Sequence, residues 1–187
     1  MKLKLFFLSI LFCSLSVSAQ YTTDDSEDTR EKFVNKLYVG GELGLSFGNV
    51  YSNVNVAPIV GYEVSEPFSL GIGGKYQWFR FFNDSYSFYG ASVFGKYLLG
   101  DQFLLHAEVE GLNVFDVNQF SPNYGQRTWI NTIWLGGGYK QNFAPNSYFQ
   151  IMALYDVLDE QSSPYKFQYI FGPTLPIIFR GGIVIGL

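Results

Sequence analysis

Cysteine is nearly absent from this chain, with Cys13 the single example. A disulfide framework of the kind that staples small secreted scaffolds is therefore excluded, and so is a thiolate metal site. Histidine is as scarce, with His106 alone. One imidazole among scattered carboxylates is a poor transition-metal set, and no Gly-rich phosphate loop is present, so no metal and no cofactor is expected. Basic residues are outnumbered 12 to 16, for a formal net charge of −4. Nucleic acid is excluded as a partner, because phosphate binding calls for clustered Lys and Arg. Long apolar runs are missing too. The one candidate, Leu5 to Leu15, falls well short of the roughly 20 residues a membrane-spanning helix requires.

That short run follows Lys2 and Lys4 and leads into Val17-Ser18-Ala19, small side chains at the positions a signal peptidase reads. It reads as a secretory signal peptide cleaved after Ala19. Phe12 stands before Cys13, where lipid attachment wants a small residue, so a lipoprotein signal is not expected. Loss of Lys2 and Lys4 takes the formal charge from −4 to −6. The next segment sets Asp24, Asp25, Glu27, Asp28 and Glu31 against Arg30, Lys32 and Lys36 with almost nothing apolar, and such a stretch cannot bury enough surface to fold alone. The expected organisation is a signal peptide over 1–19, an acidic periplasmic tail over 20–36 with at most a short helix from Asp28 to Asn35, and one domain over 37–187.

What the chain does have is 19% aromatic residues, 20 glycines and 48% hydrophobic content, all without a helix-length apolar run. A β-barrel wall reconciles these, since in lipid every backbone N–H and C=O must be satisfied internally and only helices or closed sheets achieve that. Period-two alternation, apolar outward and polar or small inward, recurs eight times. Leu37, Val39, Gly41, Leu43 and Leu45 alternate with Tyr38, Gly40, Glu42, Gly44 and Ser46. Leu70, Ile72, Gly74 and Tyr76 alternate with Ser69, Gly71, Gly73 and Lys75. The fifth segment has the sharpest contrast, with Phe103, Leu105, Ala107 and Val109 against Leu104, His106, Glu108 and Glu110. The last ends in Phe179, Gly181, Ile183, Ile185 and Leu187. Pro58 interrupts the second segment and cannot donate to a ladder, so a bulge or a lost bond is expected there.

Short turns are expected at Ser65-Glu66-Pro67, Gly100-Asp101-Gln102 and Asn142 to Asn146. Other joints fall at Gly48 to Ser52, Phe82 to Ser85, Phe115 to Gln126 and Asp159 to Gln168. Two of these are distinctly longer, the asymmetry expected between periplasmic turns and outer loops. The stretch from Leu37 to Leu187 resembles the small eight-stranded outer-membrane β-barrel family typified by outer membrane protein X and the transmembrane domain of outer membrane protein A. The signal peptide, the eight alternating segments and the closing run Gly182-Ile183-Val184-Ile185-Gly186-Leu187 carry the likeness. Members of that family usually finish with an aromatic residue, whereas this chain finishes with Leu187. The resemblance implies an all-β, eight-stranded antiparallel transmembrane up-and-down barrel in the outer membrane of a Gram-negative bacterium. Its partners are then outer-membrane lipid and lipopolysaccharide, with another outer-membrane or periplasmic protein as a further candidate.

An eight-stranded barrel encloses a space that its own side chains roughly fill, so free porin-like diffusion is not expected. The inward set carries Glu42, Glu63, Lys75, Lys96, Glu108, Glu110, Lys140 and Arg180, with Asp156 as a further acid. Unpaired charges there would cost several kcal/mol each, about the general penalty for a buried ion, so a cross-lumen ion-pair network is expected. The alternative is a gated ion or proton path. His106 shares this face with Glu108, but it lies low in its strand, away from the outer mouth where a nucleophile would be needed; no catalytic residue is assigned. Higher up, Phe79, Phe88, Leu112, Ile130, Trp134 and Leu154 all point inward, either as dry packing or as a pocket for an acyl chain. Tyr62, Phe68, Tyr97, Phe103, Tyr139 and Phe149 fit a periplasmic aromatic girdle, and Phe47, Trp78, Tyr89, Trp129 and Tyr155 an outer one.

The expected role is thus a non-enzymatic barrel serving membrane integrity or partner interaction. Binding or transport of a small hydrophobe through the apolar upper lumen is the second reading, and an outer-membrane lipid-modifying enzyme the third.

Overall fold

The computed structural model describes residues 34–46, 51–81, 84–115, 125–160, 163–165 and 176–187. The signal peptide, the acidic tail as far as residue 33, and Phe47 of the outer girdle lie outside the described residues. Eight strands follow one another: β1 (Leu37–Ser46), β2 (Tyr51–Glu63), β3 (Phe68–Phe81), β4 (Asp84–Leu99), β5 (Phe103–Phe115), β6 (Arg127–Ala144), β7 (Ser147–Asp156) and β8 (Ile177–Gly186). Each pairs antiparallel with its neighbours in chain order, and β1 pairs with β8 to close the barrel. The eight alternating segments are therefore eight strands of one closed up-and-down sheet. Leu187 follows β8 rather than extending it, and its N–H donates to Leu37 O at 3.0 Å.

Several strands reach further than apolar alternation suggests. β4 begins at Asp84 and pairs it with Phe81, leaving only two residues between β3 and β4. The physical reason is that ladder hydrogen bonds belong to the backbone and continue past the last apolar side chain. The same effect corrects the third short turn. Rather than spanning Asn142 to Asn146, β6 and β7 zip to Ala144 opposite Ser147, with a register shift between Asn142 and Ala144. Pro145 presets its own φ, and Asn146 takes the left-handed φ of 56° that asparagine tolerates in a turn. At Pro58 the β2–β3 ladder skips from Val56 opposite Tyr76 to Ile59 opposite Gly73 with the register preserved. It is a lost bond and not a bulge.

The three short turns and the two barrel termini share one end, here the turn end; the other connections make the loop end. At the turn end, two inward glycines accept aromatic rings from the neighbouring strand. Tyr38 lies on Gly61 and Phe94 on Gly71, so close that a Cβ at either glycine would collide with the ring. Gly74, on the outer face, has only the Pro58 ring at 3.9 Å.

Burial alternates residue by residue along β5, from exposed Phe103 to buried Glu110. The polarity of that alternation is inverted relative to a soluble protein. Leu43, Trp129, Ile72 and Phe103 are 69%, 66%, 63% and 61% exposed, whereas Glu110 is 1% exposed. Buried polar side chains cluster inside the barrel, and most of the exposed large hydrophobic side chains lie on its outer wall.

Candidate functional site

The strand period delivers the interior site. Inward positions of β1, β3, β4, β5, β6 and β8 place Glu42, Lys75, Ser92, Glu108, Glu110, Thr132 and Arg180 around one level of the lumen. Glu110 is its hub. Its Oε2 accepts hydrogen bonds from Thr132 Oγ1 and Trp134 Nε1, both at 3.1 Å, and from Tyr165 Oη at 2.7 Å. Its Oε1 lies 3.5 Å from Lys75 Nζ. Glu108 is the second acceptor, with Arg180 Nη1 2.6 Å and His106 Nε2 3.1 Å from its Oε2. Arg180 Nη2 stands 3.8 Å from Glu110 Oε2, tying the two clusters together, and the guanidinium stacks over Trp134 at 4.8 Å.

Of the eight charged residues singled out from the sequence, Lys75, Glu108, Glu110 and Arg180 thus form the ion-pair knot. Glu42 lines the same cavities as Lys75 and Arg180. Lys96 is buried, but it donates to Gln150 Oε1 at 2.9 Å and sits over Phe94 at 5.1 Å. Glu63 and Lys140 stand apart from the knot. They line a separate cavity of about 80 Å³ at the turn end, where Lys140 lies over the Tyr148 ring and Glu63 is exposed. Their inward direction was legible, but their height puts them at the mouth. Asp156 serves the chain reversal after β7, its Oδ1 accepting from the N–H groups of Leu158 and Asp159 at 3.2 Å.

Tyr165 is the residue that sequence reasoning missed. It lies outside every strand, in the β7–β8 connection, yet its side chain is 1% exposed inside the barrel. Its hydroxyl accepts from Lys75 Nζ at 2.7 Å while donating to Glu110. Its ring packs edge-on against Trp134 at 4.9 Å and Phe88 at 5.8 Å, with Lys75 Nζ 4.7 Å from its centroid. The only local signal is Pro164 before it and Ser163, whose Oγ accepts from the Tyr165 N–H at 3.3 Å. Nothing in the alternation marks a loop tyrosine as an interior one.

The six apolar residues of the upper lumen come together. Phe88, Leu112, Ile130, Trp134 and Leu154 belong to one buried cluster against which Phe79 packs. The cluster is not confined to the loop half, since Leu104 and Met152 extend it toward the turns and Tyr165 joins it from above. Leu112, Trp134 and Leu154 are wholly buried, and the Tyr165 ring occupies the space between Phe88 and Trp134.

Chemically the interior neutralises and packs. His106 stacks on Phe94 at 5.7 Å, and Ser92 hydrogen-bonds Glu108 rather than activating against the imidazole. Among the described residues no group of three or more His, Cys, Asp or Glu is placed to hold a metal ion. Comparison with known protein families and with characterised proteins finds no match for this chain.

Proposed function

We propose that this chain is an integral outer-membrane β-barrel without enzymatic activity, which supports membrane integrity or presents its loops and tail to a partner protein. The observation that carries the reading is the inside-out wall. Large apolar side chains such as Leu43, Ile72, Val93 and Phe103 are more than half exposed around the outside, while Glu110, Asp156 and Thr132 are fully enclosed. In water such a wall would be a very large exposed apolar patch, which monomeric soluble proteins rarely carry. In lipid it is the ordinary solution, because a closed ladder satisfies its own backbone. Tyr89 against Trp129 at the loop end and Phe103 against Tyr139 at the turn end supply ring pairs at two separated levels, as two membrane interfaces require. A lumen held by an ion-pair knot and capped by Tyr165 suits a structural or interaction role better than diffusion. The signal peptide reading supplies the route of export.

The test is fractionation combined with electrophoresis. The mature protein should sediment with outer membranes and run as a faster, compact band until it is boiled, because the closed ladder resists detergent. Recovery from the soluble periplasm would end the proposal.

A further inference from the structure

Among the described residues, the ladder that closes the barrel is the shortest of the eight. Between β1 and β8 it covers four pairs, from Tyr38 opposite Gly186 to Gly41 opposite Ile183, whereas the other seven ladders cover nine to fourteen. Continued at the same register, it would set Leu43 opposite Gly181 and Leu45 opposite Phe179, but the pairing stops. β1 and β8 are therefore joined at the turn end and parted toward the loop end.

A cavity of about 160 Å³ lies at this parting. Its lining combines residues from both faces of the wall: Leu43 and Phe179 belong to the outward set, and Lys75, Gln77 and Arg180 to the inward one. A cavity so lined lies at the seam itself, within reach of residues of both faces. Inside it, Arg180 commits Nη1 to Glu108, while Nε and Nη2 make no hydrogen bond to a described residue, Nη2 having only its 3.8 Å ion pair with Glu110. Those two N–H groups form the side edge of the guanidinium, a pair of parallel donors whose spacing matches the two oxygens of a carboxylate or phosphate. Lys75, Arg180 and Glu42 are the charged residues that line the cavity, and Lys75 and Arg180 also pair with Glu110 and Glu108 behind it. A buried donor pair without an acceptor is costly, and a ligand oxygen would remove that cost.

We propose that the parting of β1 from β8 is a lateral opening for a single-chain amphiphile with an anionic head. The head pairs with the Nε and Nη2 edge of Arg180, and the chain stays outside against Leu43 and Phe179. This rests on the reading of the outer wall as lipid-facing, since only then does a ligand arrive from the side. The apolar cluster around Trp134 is not the chain's site, because Tyr165 already fills it.

The experiment uses the full mature barrel in zwitterionic lipid nanodiscs, with laurate, dodecyl phosphate, dodecanol and acetate as probes in calorimetric titrations. Laurate and dodecyl phosphate should both bind, dodecanol about tenfold more weakly, and acetate not measurably. Arg180→Gln should reduce laurate to the level of dodecanol. Because Arg180 also holds Glu108, a second variant, Leu43→Ala with Phe179→Ala, leaves the knot intact and should weaken laurate and dodecanol together. Equal binding of laurate and dodecanol, or no binding of either, overturns the proposal. Acetate binding as tightly as laurate would overturn the lateral route. Assembly into nanodiscs and the heat-dependent band shift are read on the same preparation, so a barrel that inserts but ignores laurate refutes only this inference.

Discussion

Tyr165 Oη donates a 2.7 Å hydrogen bond to Glu110 Oε2 across 55 positions of sequence, from outside every strand to the middle of β5. This bond, with the Lys75 ammonium on its other side, couples the long connection at the loop end to the charged centre of the barrel. Tyr165→Phe keeps the ring against Trp134 and removes the hydroxyl. It should cost about 1 to 3 kcal/mol, the penalty for leaving buried polar partners unmade. Tyr165→Ala should cost more, about 3 to 5 kcal/mol, because a cavity is added. Chemical unfolding from lipid vesicles measures both, and a Tyr165→Phe variant as stable as the parent would refute the coupling.

Glu110→Leu strands Lys75 and leaves the Thr132 and Trp134 donors without their shared acceptor. The expected loss is about 3 to 5 kcal/mol, as for other buried pairs with one partner removed. Adding Lys75→Met should recover part of that loss. Additive effects in a double-mutant cycle, within about 0.5 kcal/mol, would show that the pair is not coupled.

Ile72 lies on the outer face of β3 between Val60 and Val93. Ile72→Arg should destabilise the vesicle-inserted barrel by about 2 to 4 kcal/mol if this position faces the bilayer interior. On a water-facing wall the same change stays within about 0.5 kcal/mol. The size of the effect therefore discriminates lipid from water as the surrounding medium.

Gly61→Ala places a methyl group inside the Tyr38 ring, whereas Gly74→Ala meets only the edge of Pro58. The first should cost about 1 to 3 kcal/mol through overpacking. The second should be close to neutral. Comparable unfolding midpoints for the two variants would contradict the described fit of Tyr38 on Gly61.

The strands and their faces were readable from residue order alone, because the pleat sends neighbouring side chains to opposite sides and that period is local. Leu105 out and His106 in, Val109 out and Glu110 in, were legible for this reason, as was the closed sheet that such a pattern demands. Which inward residues share a level was not readable in this way. That depends on the offset between strands, a property of pairs of segments: it brings Arg180 of β8 to Glu108 of β5 and leaves Glu63 and Lys140 at the mouth. The tertiary structure also decided the fate of residues outside the alternation. Tyr165 enters the lumen because the finished barrel offers a donor-lined space between Trp134, Phe88 and Lys75, and that space exists only after all eight strands have met. The early end of the β1–β8 ladder is of the same kind, since the seam joins the two ends of the sheet and its length is settled only by closure.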